Sequence, residues 1–203
     1  MIAIRLNDLK QYSDVLLSRS GKPFTVRFVE PRDAEALQAY FRGLSVRSRY
    51  NRFFGAMSEL PAAQLDHFIH PGEDDRFSVI ALMLVDGVET IVGEARYAFN
   101  PDTSSLEFGL SVDDRFQGQG LGQALLSNLE CRASAFGAET IFGDTLRSND
   151  AMIAAARKAG YRFRQSPGDW KLVRFEKHID VAPVDIPCAS WRLAAEQAVH
   201  AAA

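Results

Sequence analysis

The chain has only two cysteines and four histidines in 203 residues, and neither set is arranged for metal or redox chemistry. Cys131 and Cys188 are too far apart to suggest a disulfide framework, and no histidine stands near Cys131 to activate it as a nucleophile. His67-x-x-His70 supplies two of the four ligands a structural zinc needs, so no metal is assigned. Lysine is missing from the whole stretch between Lys22 and Lys158, which removes the Gly-Lys-Ser/Thr of a P-loop and nucleotide hydrolysis with it. There is no basic excess either. A formal charge of −3 and a pI near 5.8 exclude a nucleic-acid polyanion as the default partner. No apolar run reaches the roughly 18 residues of a membrane helix, and charge interrupts the first eight residues too early for a secretory signal. The expectation is a cytoplasmic protein with no membrane partner.

What is present is a 47% hydrophobic chain, enough for one substantial core. Phe24, Val26 and Phe28 alternate with polar residues as a strand, and Glu30-Pro31-Arg32-Asp33 caps a helix to about Arg42. Helical stretches follow from about Ser45 to Phe54 and from Pro61 to Phe68. Phe77 to Val85, Ile91 to Phe99 and Leu106 to Val112 form a three-strand meander with turns at Asp86-Gly87 and Asn100-Pro101-Asp102. A helix with Leu121, Ala124, Leu125 and Leu129 on one face ends at Gly137. Residues 139–143 read as a strand, Ser148 to Met152 opens a second helix, and a last strand runs from about Trp170 to Lys177. The domain is set at 23–178, with an N-terminal extension at 1–22 and a tail at 179–203 that contains an alanine-rich end.

Arg115-Phe116-Gln117-Gly118-Gln119-Gly120-Leu121-Gly122 is the most informative stretch. A strand runs into a glycine turn that opens a helix, so the backbone N–H groups from Gln117 to Gly122 can surround a phosphate. The dinucleotide spacing G-x-G-x-x-G/A fails in both registers, because Gln123 and Leu125 stand where the last glycine or alanine belongs. The spacing R/Q-x-x-G-x-G/A is filled by Arg115, Gly118 and Gly120. With the N-x-x-A/M residues Asn149 and Met152 and the pair Gly160-Tyr161 in the same order, it resembles the acetyl-CoA loop of the GNAT acetyltransferase superfamily. That resemblance implies an α/β (α+β) fold with a mixed, mainly antiparallel twisted sheet flanked by helices. It also implies acetyl-CoA held by Leu110, Ser111, Val112, Gln117, Gly118, Gln119, Gly120, Leu121 and Gly122, with Asn149 touching the pantetheine arm. A bare N-cap would give Asn149 the same appearance.

Glu107 lies on the strand before the loop, on the face it shares with Gly109 and Ser111. In the superfamily a glutamate at this spacing often acts as general base. The chemistry requires one, since a lysine amine with a pKa of about 10.4 is protonated at neutral pH and has no lone pair for a thioester. The other reading is a solvent-facing strand glutamate; Glu94 is the reserve base. The tyrosine many relatives use as general acid is replaced by Ala155 and Ala156, which leaves the acid unassigned.

The string Ser48-Arg49-Tyr50-Asn51-Arg52-Phe53-Phe54 further resembles bacterial Pat-type protein lysine acetyltransferases, which act on acyl-CoA synthetases and other metabolic proteins. The resemblance spans about Phe24 to Lys177, without the synthetase-like or cyclic-nucleotide domains of some relatives. Arg47, Arg49 and Arg52 are either a docking patch or water-facing, and Tyr50, Phe53 and Phe54 are assigned to the core. The expected function is acetyl transfer to a protein lysine by direct attack, with an oxyanion near the N–H of Leu110 or Val112. A small-molecule amine acetyltransferase and a non-catalytic acyl-CoA sensor are the alternatives. The oligomeric state is unassigned.

Overall fold

Residues 13–70 and 76–179 are described by the structure, a computed structural model. Eight strands form one sheet: β1 (Asp14–Leu17), β2 (Pro23–Phe28), β3 (Arg76–Val85), β4 (Val88–Asn100), β5 (Ser105–Val112), β6 (Thr140–Leu146), β7 (Arg162–Gln165) and β8 (Leu172–His178). Their order is β1-β2-β3-β4-β5-β6-β8-β7, and only β5 and β6 are parallel neighbours. Helices α1 (Ala34–Gly43), α2 (Val46–Phe53) and α3 (Ala62–Ile69) lie between β2 and β3 in the chain, α4 (Leu121–Phe136) between β5 and β6, and α5 (Asp150–Lys158) between β6 and β7. None of these helices is long and apolar enough to cross a membrane.

Period-two alternation divides the sheet between two cores. On β3, Phe77, Val79, Ala81 and Met83 join Leu121, Leu125 and Leu129 of α4, while Ile80 and Leu82 join Leu37, Tyr40 and Phe41 of α1 and Phe68 of α3. The i, i+3, i+4 spacing of those α1 residues gives the helix its single apolar stripe. One irregularity matters for the site. On β4, Ile91 pairs with Leu82 and Gly93 with Ala81, so Val92 is an extra residue in the ladder. This β-bulge shifts the phase of everything after it and turns Glu94 and Arg96 to the face covered by α1–α3, where unbroken alternation from Ile91 would have sent them toward α4.

Three sequence expectations change. Residues 14–17, read as part of an N-terminal extension, form an edge strand of the sheet. It is tied to α4 by Asn128, which donates to Asp14 at 2.9 Å, and by buried Arg132 at 3.4 Å from the same carboxylate. Residues 162–165, beyond the Gly160-Tyr161 pair, add strand β7. Cys131, read from sequence as a plain helix residue, is buried inside α4 and disulfide-bonded, and Cys188 lies outside the described residues. The alanine-rich end from Trp191 to Ala203 and residues 1–12 lie outside the described residues.

Candidate active site

Parallel strands β5 and β6 pair over only three positions, Ser105 with Thr140, Leu106 with Ile141 and Glu107 with Phe142. Beyond these the strands part, because β5 stays on β4 as far as Val112 while β6 follows β8 as far as Leu146. A cavity of about 560 Å³ occupies the opening, and Glu107, Leu110, Asp144, Thr145, Asn149 and Phe175 are among its walls. The exposed side chain of Glu107 therefore stands at the vertex of the split. Closeness at the vertex explains Gly143, where an added Cβ would lie 2.9 Å from the Phe108 carbonyl oxygen.

The backbone of β5 has two sides. The Asp113 N–H donates to the Val92 carbonyl at 2.9 Å, so by strand alternation the N–H and C=O of Ser111 and Gly109 also face β4 and those of Leu110 and Val112 face the opening. Leu110 and Val112 thus turn their backbone groups into the opening, with the Val112 carbonyl already accepting from Gln117 Nε2 at 3.0 Å. Ser111 does not stand there. Its hydroxyl is buried, donating to Glu94 Oε1 at 2.6 Å and bonded to the Tyr40 hydroxyl at 3.0 Å.

At the mouth of the opening the chain makes a short 3₁₀ turn, Asp114–Phe116, and enters α4 through Gly118 at φ 72° and Gly120 at φ 91°. Both angles favour glycine. A Cβ at Gly120 would also meet the Arg19 backbone nitrogen at 3.1 Å, and the Arg19 N–H donates to the Gln119 carbonyl at 2.7 Å. The β1–β2 turn thus buttresses the glycine loop, a contact no sequence motif announced. No side chain among the described residues caps α4, which leaves its first-turn N–H groups, including those of Leu121 and Gly122, open to an anion. Gln119 donates to the Arg115 carbonyl at 2.9 Å, and Arg115 is held by Asp113 at 2.7 Å, so these side chains brace the loop. Gly120→Ala is expected to cost about 1–3 kcal/mol of stability from the left-handed backbone alone and to weaken acetyl-CoA binding, read by urea unfolding and by calorimetry.

The loop is also fastened to α2. Asp114 accepts from the Ser45 N–H at 2.8 Å and from the hydroxyls of Ser45 at 2.8 Å and Ser48 at 2.7 Å, at the N-terminus of that helix. Partial burial works against its charge, but these donors hold the Asp114 carboxyl below the usual range.

Helix α2 corrects two readings. Arg52 lies across the sheet, its Nε 2.6 Å from Oε1 of fully buried Glu94, and its guanidinium rests on Gly109, where a Cβ would be 2.6 Å from Nη1. Burial opposes the charge on Arg52, yet the Glu94 carboxylate holds its pKa above the ordinary arginine value. Arg49 donates to the carbonyls of Met57, Arg42 and Leu44, closing the end of α1. The arginines therefore form no continuous patch. Tyr50 and Phe54, assigned to the core from sequence, are 43% and 41% exposed, because Arg52 and half-buried Phe53 take the inward side of α2. Glu94 does not suit the role of reserve base, since Arg52 and Ser111 occupy its oxygens and no surface is open to an amine.

Asn149 lines the cavity and also caps α5, accepting from the Met152 N–H at 3.3 Å and donating to Thr145 Oγ1 at 3.0 Å. Tyr161 is buried behind Phe108 and Phe175, on which it packs, and burial pushes its hydroxyl well above the ordinary phenol range. It is no substitute for the missing acid.

A mostly antiparallel sheet split beside one parallel pair, with an uncapped glycine-entered helix at the split, defines an acetyltransferase of the GNAT class. Residues 37–161 match the Acetyltransferase (GNAT) family, and the chain belongs to it. Over 149 residues it is 26% identical to an acetyltransferase of Pseudomonas aeruginosa, covering 73% of this chain and 80% of that protein. The GNAT domain of S. lividans PAT is similar at a TM-score of 0.73 and 27% identity, over 82% of this chain and 96% of that one. A Salmonella typhimurium structure determined with its cofactor acetyl-CoA shares the fold at a TM-score of 0.61 and 20% identity, over 77% and 94% of the two chains.

Proposed function

We infer that this acetyltransferase binds acetyl-CoA in the β5–β6 opening and transfers its acetyl group to a lysine amine of a protein, with Glu107 as general base. The observation that carries the reading is the alignment of three features along β5: Glu107 and Leu110 on the wall of the cavity, the backbone edge of Val112 beyond them on the same side of the strand, and the uncapped N-terminus of α4 past the strand's end. These residues fit the cofactor: the first-turn N–H groups of α4 suit a pyrophosphate, and Leu110 and Val112 offer amide partners to an extended amide-bearing arm. When bound, acetyl-CoA supplies an acyl group activated as a thioester. The chain's own part is to hold the arm, align the amine and take its proton at the Glu107 carboxylate, directly or through a water.

A protein acceptor is supported by the rim of the cavity. Phe54, the C-cap residue of α2, lines it while 41% exposed, and Tyr50 one turn earlier is 43% exposed, so this end of the helix offers aromatic side chains near the cavity. Exposed aromatics are the contacts that protein interfaces favour. The sequence resemblance to Pat-type enzymes supports the same acceptor, with acyl-CoA synthetase-like enzymes as expected substrates. The test is incubation with radiolabelled acetyl-CoA and cell lysate, wild type beside Glu107→Gln, read by gel and by release of free CoA. Discrete labelled bands with wild type alone are expected. CoA release without labelled protein would transfer the reading to a small amine, and cofactor binding with neither signal would leave a sensor.

A further inference from the structure

Six arginines among the described residues are drawn into the fold; four lie on a carboxylate, Arg27 on Asp33 at 2.7 Å, Arg52 on Glu94 at 2.6 Å, Arg132 on Asp14 at 3.4 Å and Arg174 on Asp144 at 2.6 Å, and Arg49 donates to backbone carbonyls. Arg96 is the exception. Half-buried on β4, its guanidinium lies over the Phe68 ring at 5.0 Å and has no hydrogen bond or ion pair among the described residues. Five N–H donors held in a fixed plane and partly removed from water are costly to leave without acceptors. Glu94, two residues earlier on the same strand, is already occupied by Arg52 and Ser111. Burial and the neighbouring charges of Arg76 and Arg52 lower the Arg96 pKa from the ordinary arginine value, although an arginine stays charged.

Arg96 lines the same cavity as Glu107, and the register fixes how they stand. Arg96 pairs with Gly109 and Ala98 with Glu107, so Arg96 and Glu107 are diagonal neighbours on one face, about 7–8 Å apart at the backbone. Gly109 places no side chain between them. One end of the acceptor region is therefore anionic and suited to an amine, and the other presents a cation without a partner.

We propose that Arg96 captures a carboxylate of the acceptor, so that the preferred acceptor lysine has an acidic residue beside it. The proposal rests on the reading of the Glu107 end of the cavity as the acceptor site. A long lysine side chain lets its amine reach Glu107 while the carboxylate of a neighbouring residue meets Arg96. The Phe68 ring lies against the guanidinium and limits its freedom, which favours a two-point bond. Arg96 is thus a specificity residue, and it takes no part in proton transfer.

The experiment uses lysine peptides that differ only in having Asp, Asn or Lys beside the acceptor, with free amines bearing or lacking a carboxylate as a separate arm. All are assayed at saturating acetyl-CoA with wild type, Arg96→Gln and Arg96→Glu. Wild type is expected to favour the Asp peptide over the Asn peptide by about tenfold or more in kcat/KM, as a charge-assisted bond would. Arg96→Gln should remove that preference and keep the KM for acetyl-CoA, and Arg96→Glu should favour the Lys peptide. Equal use of Asp and Asn peptides by wild type, or a preference that survives in Arg96→Gln, would overturn the proposal. If only free amines are acetylated, the protein-acceptor reading fails separately. Arg96-dependent preference for carboxylate-bearing amines would then still support the anion site, and its absence would overturn it. Acetylation of no acceptor at all would overturn it as well.

Discussion

Replacement of Glu107 by Gln is expected to lower kcat by about 10²-fold or more and to leave both the KM for acetyl-CoA and the unfolding midpoint unchanged. The substitution is isosteric, and Glu107 is exposed with no hydrogen bond to another described residue, so the fold loses nothing. What goes, on the proposed role of Glu107, is the proton acceptor at the vertex of the β5–β6 opening. The deficit should also depend on pH in a stated direction. A lysine amine loses its proton unaided only toward its pKa of about 10.4, so the ratio of wild-type to variant rates is largest near neutrality and shrinks as the medium becomes alkaline. A constant ratio would point to a positioning role, and an unchanged kcat across the whole range would remove Glu107 from the chemistry.

The second large effect concerns stability. Truncating either member of the Arg52–Glu94 pair to Ala leaves the other as an uncompensated charge under α2, and should cost about 3–5 kcal/mol in urea unfolding. Glu94→Ala strands Arg52 and also removes the acceptor of the Ser111 hydroxyl; Arg52→Ala empties the space over Gly109. Replacing both, Arg52→Met with Glu94→Gln, should recover much of the loss, because the cost lies in a lone buried charge more than in a missing attraction. Activity should fall with stability in the single variants, in contrast to Glu107→Gln. A Glu94→Ala protein as stable as wild type would show that the pair does not hold α2 to the sheet.

The glycine loop, the strand before it and the helix after it were legible in sequence because their signals are local. Gly118 and Gly120 answer to backbone angles, Leu121, Leu125 and Leu129 to a helical period, and Phe108 and Val112 to a strand period. Glu107 falls on the predicted face for the same reason. The partners of Glu94 were not legible, since Arg52 is 42 residues away and nothing in either neighbourhood marks the pairing. Tyr50 and Phe54 were misplaced because an aromatic residue in a short helix looks like core until a buried arginine is seen to take the inward side. Strand β1 escaped because Asp14–Leu17 is four residues long, and its exposed Val15 and Leu17 alternate with buried Asp14 and half-buried Leu16, the reverse of the usual pattern.

The extra residue Val92 has a bearing on how this chain can change over time. Exchanging one side chain for another along β4 alters a single wall of the cavity, but losing or gaining one residue between Ile91 and Tyr97 would rotate the rest of the strand by half a period. Glu94 and Arg96 would then be driven into the apolar layer under α4, and Ala95 and Tyr97 would be presented to α2 and α3. The Asp86-Gly87 hairpin tip, with exposed Leu84 and Val88 on either side of it, has no such constraint. Length variation should therefore be tolerated at that tip and rejected a few residues further along the same strand, so that the spacing between bulge and cavity wall persists while the residues lining that wall change.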